Sequence, residues 1–107
     1  MPKHPVLKMA RELTQPFRPV EIADLDGAYH SFIVRYSGDY VTHSHSADEF
    51  IYILEGAIEV DMDQRTLEVR QGEALLIPAG KAHRPRCKGM ALALVFETKG
   101  LQVEGRD

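Results

Sequence analysis

The chain of 107 residues has one cysteine, no tryptophan and no excess of basic residues. A single cysteine cannot form an internal disulfide, so burial of apolar side chains must provide the stability. Thirteen Lys and Arg against sixteen Asp and Glu give a net charge of −3, which disfavours nucleic-acid binding because that function needs a concentrated basic surface. Neither a signal-like leader nor an apolar run of about 18 residues is present, so we expect a soluble, cytoplasmic protein without membrane contact.

The length predicts one domain preceded by an arm. At about 150 residues per typical domain, the chain has room for one core. Four prolines fall within residues 1–19, around a stretch at 6–13 that can form about two helical turns. We therefore expect an extended or loosely packed arm at 1–19 and a single domain at 20–107.

From residue 20 onward, short apolar or alternating runs are separated by turn signals, which is typical of an all-β protein. The Asp26-Gly27 pair between two of these runs predicts a tight type I′ hairpin. Many short strands in a small domain predict a two-sheet sandwich, a jelly roll or a closed barrel. The predicted strands are 20–25, 29–36, 50–54, 57–62, 66–69, 74–77 and 90–96.

Two histidines with a spacing of two indicate a metal site. In an extended chain, His43 and His45 project to the same side with Cα atoms about 6 to 7 Å apart. Glu49 keeps the same parity and shares its face with Ile51, so its carboxylate is predicted to point inward. A divalent cation would compensate a carboxylate buried there. His83 follows a proline–glycine turn that can return a third imidazole to the same place.

These residues resemble the two motifs of the cupin family. The first motif matches Gly38, His43, His45, Glu49 and Gly56, and the second matches Gly72, Pro78, Gly80 and His83. Two departures occur. Four residues separate Gly38 from His43, where the family usually has five, and Cys87 stands where the family usually has asparagine. With its flanking strands, the resemblance covers residues 20–96.

The resemblance implies a double-stranded β-helix, the cupin jelly-roll barrel. It also implies one divalent transition metal held by His43, His45, Glu49 and His83, with open coordination positions facing a cavity. Nitrogen and oxygen donors suit Fe, Mn, Ni, Cu or Zn, and affinity alone does not choose among them.

Three further residues are candidates for the substrate pocket. Arg35 could anchor an anionic ligand, although an outward, solvated arginine is the commoner arrangement. Tyr52 could orient a ligand through its hydroxyl or simply pack, and Cys87 is predicted as a small cavity-lining residue rather than a metal ligand. Basic residues around His83 would form either an electropositive mouth or a solvated rim. They are Lys81, Arg84, Arg86 and Lys88.

The function implied first is that of a metal-dependent enzyme acting on a small molecule, either a dioxygenase-type oxidoreductase or an isomerase. An isomerase needs a separate base, and the sequence shows no free carboxylate beside the site. The alternative is a non-catalytic module that binds a sugar, a carboxylate or another small ligand. A structural role like that of the seed-storage relatives is disfavoured because all four implied ligands are retained.

A homodimer is expected for two reasons. Cupins of this minimal size commonly pair, and the strand at 50–54 is apolar on both faces. Phe50, Tyr52 and Leu54 alternate with inward residues, so a second subunit is predicted to cover them.

Overall fold

The computed structural model describes residues 3–100 and the backbone of residues 103 and 104. None of its helices there is long and apolar enough to cross a membrane. The elements in chain order are α1 (Val6–Arg11), β1 (Val20–Leu25), β2 (Tyr29–Asp39), β3 (Ser44–His45), β4 (Glu49–Glu55), β5 (Ala57–Met62), β6 (Arg65–Arg70), β7 (Ala74–Ile77), β8 (Arg84–Thr98) and β9 (Val103–Glu104).

Antiparallel pairing joins most strands into one curved framework around a central strand, β8. The main order is β1-β2-β8-β4-β7, and β5 pairs with both β8 and β6. Because β8 is 15 residues long, it pairs with β5 near its start and with β2 and β4 farther along. A separate two-stranded ladder joins β3 to β9. The predicted all-β barrel is confirmed.

The predicted strand bounds are correct where apolar residues form a clear run between turn residues. They are wrong where pairing with distant strands sets the length of a strand. The runs at 20–25, 57–62 and 74–77 match β1, β5 and β7 residue for residue. The last predicted run, 90–96, is the second half of β8, which begins at Arg84. Pro85 and Gly89 disfavour a strand locally, but the ladders of β8 with β2 and β5 impose one. The short strands β3 and β9 were not predicted.

The hairpin predicted at Asp26-Gly27 is confirmed by its backbone. Both residues have positive φ, 58° and 67°, as a type I′ turn requires. The amide of Gly27 donates to Oδ1 of Asp24 at 2.8 Å. A similar pair, Asp63 and Gln64 with φ of 55° and 59°, joins β5 to β6. Because this turn contains no glycine, turn-residue patterns did not predict it.

The arm packs on the outside of the barrel, contrary to the expectation of loose packing. Ala10 in α1 is fully buried and forms a cluster with Ile33 and Leu92. Arg11 donates from Nε and Nη2 to Oε1 of Glu55 at 3.0 and 2.6 Å. A stretch rich in proline can therefore still be fixed, because one small residue and one ion pair match the sheet beneath it.

The barrel interior holds a second, larger apolar cluster. Its inward residues alternate along β4, β5 and β8, as the pleat of a strand requires. Ile53, Ile58 and Ala93 are almost completely buried there. At one end, cluster members such as Val34 and Ile51 line a cavity together with Glu49 and the histidines, so the interior passes from an apolar end to a polar end.

Candidate metal centre

Three histidines meet at the polar end of the barrel. His43 and His83 face each other in an isolated antiparallel bridge, each amide donating to the other's carbonyl oxygen at 2.9 Å. Their ring centroids are 4.3 Å apart, and the ring of His45 lies 4.8 and 5.2 Å from them. All three residues are buried. The proline–glycine turn before His83 thus returns the third imidazole to the other two.

Backbone carbonyls orient two of these rings. Nδ1 of His43 donates to the carbonyl oxygen of Val41, and Nδ1 of His83 donates to that of Lys81, both at 2.9 Å. With Nδ1 protonated, Nε2 of each ring presents its lone pair to the cluster. This is the outer hydrogen bond that fixes the tautomer of a metal-ligating histidine.

His45 contributes a buried nitrogen that lacks a partner. No hydrogen bond to Nδ1 of His45 is found among the described residues, and this atom lies 3.8 Å from Oε1 of Glu49. The same Glu49 oxygen lies 3.7 Å from Nε2 of His83. Metal–donor bonds of about 2.0 to 2.2 Å allow two ligand atoms of one ion to be up to about 4.4 Å apart. The donor set and the orphaned nitrogen therefore fit a divalent metal ion.

The protonation states agree with this interpretation. Burial, reinforced by His43 and His83, lowers the pKa of His45 to about 4, and burial also lowers the pKa of His83. Both imidazoles are therefore neutral at pH 7, which is the form that binds a metal. Burial raises the pKa of Glu49 to about 8, with further contributions from the charge and the hydrogen bond of Glu97. Without a cation, Glu49 therefore holds a proton at neutral pH.

Glu97 is a second carboxylate at the site, which corrects the expectation that no free carboxylate lies there. It pairs with Glu49 across the β4–β8 ladder and lines the same cavity. Its inward direction continues the alternation of Ala93 and Val95 by one step beyond the predicted end of that strand. That alternation was the available signal. Its outer partner is His30, whose Nε2 lies 3.2 Å from Oε1 of Glu97.

The three histidines and both carboxylates open on a cavity of about 160 Å³. Aromatic rings form part of its wall. Phe17 stacks on Tyr40 at 4.7 Å and meets Tyr36 edge-on at 5.7 Å, while Tyr40 meets the ring of His43 edge-on at 5.2 Å. The lining residues are Phe17, Pro19, Phe32, Val34, Tyr36, Tyr40, His43, His45, Glu49, Ile51, His83, Pro85 and Glu97.

Two wall residues, Phe17 and Tyr36, have unusual properties. Phe17 belongs to the arm, so the arm supplies part of the cavity wall. Its φ of 60° is unusual for a bulky residue. Burial raises the pKa of Tyr36, with the charges of Glu49 and Glu97 adding to the effect. The Tyr36 hydroxyl is therefore neutral and able to donate a hydrogen bond.

The three substrate-pocket candidates lie outside this cavity lining. Arg35 has the opposite parity to the inward residues of β2, and its Nη1 contacts the carbonyl oxygen of Leu13 at 3.5 Å. Tyr52 is on the outer face of β4 and is 37% exposed. Cys87 is buried in the apolar cluster, where Sγ donates to the carbonyl oxygen of Ala57 at 3.4 Å. Strand parity explains Arg35 and Tyr52, because neighbours in a strand face opposite sides.

Carboxylates balance three of the four basic residues that flank His83 in the sequence. The pairs are Lys81 with Asp63 at 2.7 Å, Arg84 with Asp39 at 2.9 Å and Arg86 with Asp61 at 2.7 Å. An electropositive mouth is therefore reduced by these ion pairs, which offset the positive field that an anionic ligand would need.

A single antiparallel barrel with buried histidines beside a cavity is the architecture of a small barrel protein that can hold one metal ion. Residues 32–97 match the family model described as Cupin domain, Cupin_2. The chain belongs to this cupin family. Fold and resemblance therefore agree over the region that contains both histidine motifs.

Two sequence relatives extend the similarity beyond that region. The chain is 33% identical over 86 residues to a protein named polyketide synthase CurC from Streptomyces cyaneus, covering 79% of this chain and 56% of the relative. It is 29% identical over 96 residues to YdbB from Bacillus subtilis (strain 168), covering 88% of this chain and 84% of the relative. The chain thus spans little more than half of the CurC relative.

Solved structures show the same fold at lower identity. A cupin-2 domain protein from Shewanella frigidimarina superposes with a TM-score of 0.82 at 24% identity, covering 87% of this chain and 91% of that one. Hydroquinone 1,2-dioxygenase from Sphingomonas sp. TTNP3 gives a TM-score of 0.72 at 23% identity, covering 94% and 72%. A cupin described as a sugar phosphate isomerase from Silicibacter pomeroyi gives 0.64 at 24% identity, covering 75% and 57%.

Proposed function

We propose that this cupin is a metal-dependent oxidoreductase of the dioxygenase type that acts on a small hydroxylated aromatic molecule. In this proposal His43, His45, Glu49 and His83 hold one divalent transition metal, which is Fe, Mn, Ni, Cu or Zn. The observation that carries it is the convergence of three buried imidazoles and a carboxylate on an aromatic-walled cavity.

The donor set supports metal binding at this position. One ring nitrogen from each histidine lies within 4.8 Å of the others, and neutral imidazoles are the form that coordinates. When bound, a metal with nitrogen and oxygen ligands can activate dioxygen or polarise a substrate oxygen. The side chains around the metal must bind the substrate, orient it and exclude water.

The cavity wall favours a flat ring as substrate. Phe17, Tyr36 and Tyr40 present aromatic surface on one side, where a planar molecule can stack or pack edge-on. The neutral Tyr36 hydroxyl can donate a hydrogen bond to a substrate oxygen. Hydroquinone 1,2-dioxygenase, by its name, acts on such a ring and shares the fold, which supports the same substrate class here.

An isomerase is the second candidate because Glu97 supplies a carboxylate that a proton transfer would need. The sugar phosphate isomerase among the structural neighbours supports it at the level of the fold. A phosphate ligand would also need cationic partners, and Lys81, Arg84 and Arg86 already pair with carboxylates. The dioxygenase proposal therefore stands first.

Metal analysis combined with oxygen uptake tests the proposal. Protein purified without an affinity tag or added metal is compared with His45→Ala, which removes a donor. We expect near-stoichiometric metal in the wild type, loss of that metal in the variant, and oxygen consumption with hydroquinones or catechols. Metal-independent binding of such a ring, with no oxygen uptake after loading with each candidate metal, would overturn the proposal and favour the non-catalytic binding module.

We further propose that the protein is a homodimer formed through the outer face of β4 and its neighbours. Phe50, Leu76 and Phe96 are 41%, 52% and 38% exposed, and the rings of Phe50 and Phe96 lie 6.5 Å apart. Contiguous apolar surface of this kind usually marks an interface. The patch reaches β7 at the end of the main sheet order, where an unpaired strand edge favours pairing with another chain.

Phe50→Glu tests this dimer, because it places a charge in the patch without touching the cavity. We expect the wild type to have the mass of two chains by light scattering after size exclusion, and the variant that of one chain at the same concentration. Glu68→Gln, an exposed substitution on β6, serves as the control and should stay dimeric. A monomeric wild type at micromolar concentration would contradict the proposal. Location in the cytoplasm remains a prediction of the sequence.

A further inference from the structure

The second carboxylate of the site, Glu97, lies directly opposite Glu49 on the neighbouring strand. The two residues are register partners in the antiparallel β4–β8 ladder, and both side chains point inward. Cross-strand neighbours on one face have Cβ atoms about 4.5 to 5.5 Å apart, and like charges placed there destabilise a sheet. Their side chains are only 11% and 13% exposed, so water screens this repulsion poorly. Such a pair of carboxylates needs either a shared proton or a bound cation between them.

Glu97 is held in this position from its outer side. Oε1 of Glu97 forms a hydrogen bond with Nε2 of His30 at 3.2 Å, and Nδ1 of His30 forms one with Oε1 of Glu21 at 2.9 Å. These contacts extend from the cavity to the exposed side chain of Glu21. A carboxylate that ligates a metal is commonly supported by outer hydrogen bonds of this kind.

His45 connects the two carboxylates to the histidine cluster. Donor atoms of His45, Glu49 and Glu97 all lie within 4.8 Å of one another, as do those of the three histidines. His45 belongs to both groups, is only 8% exposed, and has a buried Nδ1 without a hydrogen-bond partner among the described residues. This nitrogen lies 3.8 Å from Oε1 of Glu49, and a cation bound beside the carboxylates would give it the partner that it lacks.

We propose that Glu97 is a fifth protein ligand of the metal, giving a donor set of three histidines and two carboxylates. The inference rests on the metal site proposed above. Three neutral imidazoles and one carboxylate leave a divalent ion with a net charge of +1, whereas a second carboxylate makes the site neutral. Neutrality matters here because Val34 and Ile51 are part of the cavity wall, and net charge in apolar surroundings is costly.

The fifth ligand changes what the site can bind. A six-coordinate ion with four protein ligands has two open positions, and the same ion with five has one. A substrate that binds through two oxygens must then displace Glu97, while a substrate that binds through one oxygen need not. Glu97 therefore determines whether a substrate binds the metal through one oxygen or through two.

Co(II) is a suitable probe, because its visible absorption responds to the number and the type of its ligands and its affinity can be measured by titration. The titrated proteins are the wild type, Glu97→Gln and Glu21→Gln. Glu21→Gln is the matched control, since it alters the outer end of the same hydrogen-bonded chain and leaves every proposed donor in place.

We expect Glu97→Gln to weaken Co(II) binding by about 10- to 100-fold, a range that outer partners of a ligand can also produce. The absorption spectrum therefore decides. A visible spectrum of the bound ion that changes in Glu97→Gln, where water or an amide replaces the carboxylate, and that stays like the wild type in Glu21→Gln, supports ligation by Glu97. A wild-type spectrum in Glu97→Gln overturns it, whatever the affinity.

His83→Ala keeps this test separate from the metal site itself. If the wild type binds one Co(II) and His83→Ala does not, the metal site stands, and the Glu97 spectrum alone judges the fifth ligand. If the two proteins bind Co(II) equally weakly, the proposed metal site fails and the fifth ligand fails with it. Circular dichroism and thermal unfolding show that each variant is folded before its spectrum is compared.

Discussion

The two ends of the barrel interior differ in how they use burial. We call the residues His43, His45, Glu49, His83 and Glu97 the site end, and the residues Ile53, Ile58, Val69 and Ala91 around Gly56 the packed end. One strand, β4, contributes Glu49 to the first and Ile53 to the second. Both are shielded from water, yet only the packed end gains free energy from that shielding.

The barrel therefore contains a destabilising arrangement at the site end and a stabilising one at the packed end. At the packed end, apolar side chains fill the interior, and fully burying one stabilises by about 1.5 to 3 kcal/mol. At the site end, burial forces Glu49 towards its protonated form, and Nδ1 of His45 has no hydrogen-bond partner in the part of the chain that the structure describes. Opposite effects of mutation are therefore expected at the two ends.

Gly56→Ala should have the largest effect. A Cβ at this position would lie 2.5 Å from the carbonyl oxygen of Met90, and the φ of +82° is itself unfavourable for alanine. The clash and the left-handed backbone together should lower the free energy of unfolding by about 3 kcal/mol or more. Urea denaturation measures this loss.

Gly72→Ala is the matched control for that experiment. Its φ of +83° is almost the same, but a Cβ there meets no atom within 4 Å. We expect a loss of only about 1 to 2 kcal/mol, from the backbone conformation alone. Equal losses in the two variants would show that close approach at Gly56 is unimportant.

Glu49→Gln should weaken metal binding strongly while sparing the fold. Removing the anionic oxygen should lower metal affinity at least tenfold, which corresponds to about 1.4 kcal/mol. Without metal, the variant should be at least as stable as the wild type at pH 8, because glutamine has no charge to desolvate. Metal titration and thermal unfolding of the same preparations measure both effects. Reduced stability without metal would contradict the proposed strain at the site end.

The metal-free wild type should lose stability as the pH rises from 6.5 to 8. In this range the folded protein keeps the proton on Glu49, with its pKa of about 8, while the unfolded chain, with an ordinary value of 4.5, has lost it. The unfolded state then binds fewer protons, so the free energy of unfolding falls, by about 2 kcal/mol over the range. Urea titrations at several pH values measure this slope.

The sign reverses for His45, which limits the useful range. Its pKa is lowered to about 4 from 6.5, so its contribution to stability is present above pH 6.5 and is lost as the pH falls towards 4. Above pH 6.5 the unfolded imidazoles of His45 and His83 are increasingly neutral, so their remaining effect is small and opposite in sign to that of Glu49. Glu49→Gln should show no such slope between pH 6.5 and 8, and a slope equal to that of the wild type would assign it to another group.

Cys87→Ser should have the smallest effect, and only on stability. The Sγ atom of Cys87 is buried in the apolar cluster and donates to Ala57, outside the cavity lining. A serine hydroxyl can make the same hydrogen bond but is more costly to bury, by about 1 kcal/mol. Elemental analysis should find unchanged metal content. Loss of the metal would mean that the proposed ligand set is incorrect.

Much of the barrel could be predicted from local patterns, because each pattern records a local physical constraint. Alternation along β4 indicated which side of the strand is buried, and it placed Glu49 with Ile51 and Ile53. The Asp26-Gly27 pair indicated its turn because few residue pairs tolerate two positive φ values. The same patterns could not set where a strand ends when its partners lie far away in sequence, as in β8.

The sequence by itself determined the strand faces, the principal hairpin, the cupin motifs and the spacing that brings His43 and His45 to one side. Only the tertiary structure decided that Glu97 lies beside Glu49, that His30 supports Glu97 from 67 residues away, and that Phe17 enters the cavity wall. The reason is that parity and turn conformation are properties of neighbouring residues. Register between distant strands is instead set by how the whole barrel packs.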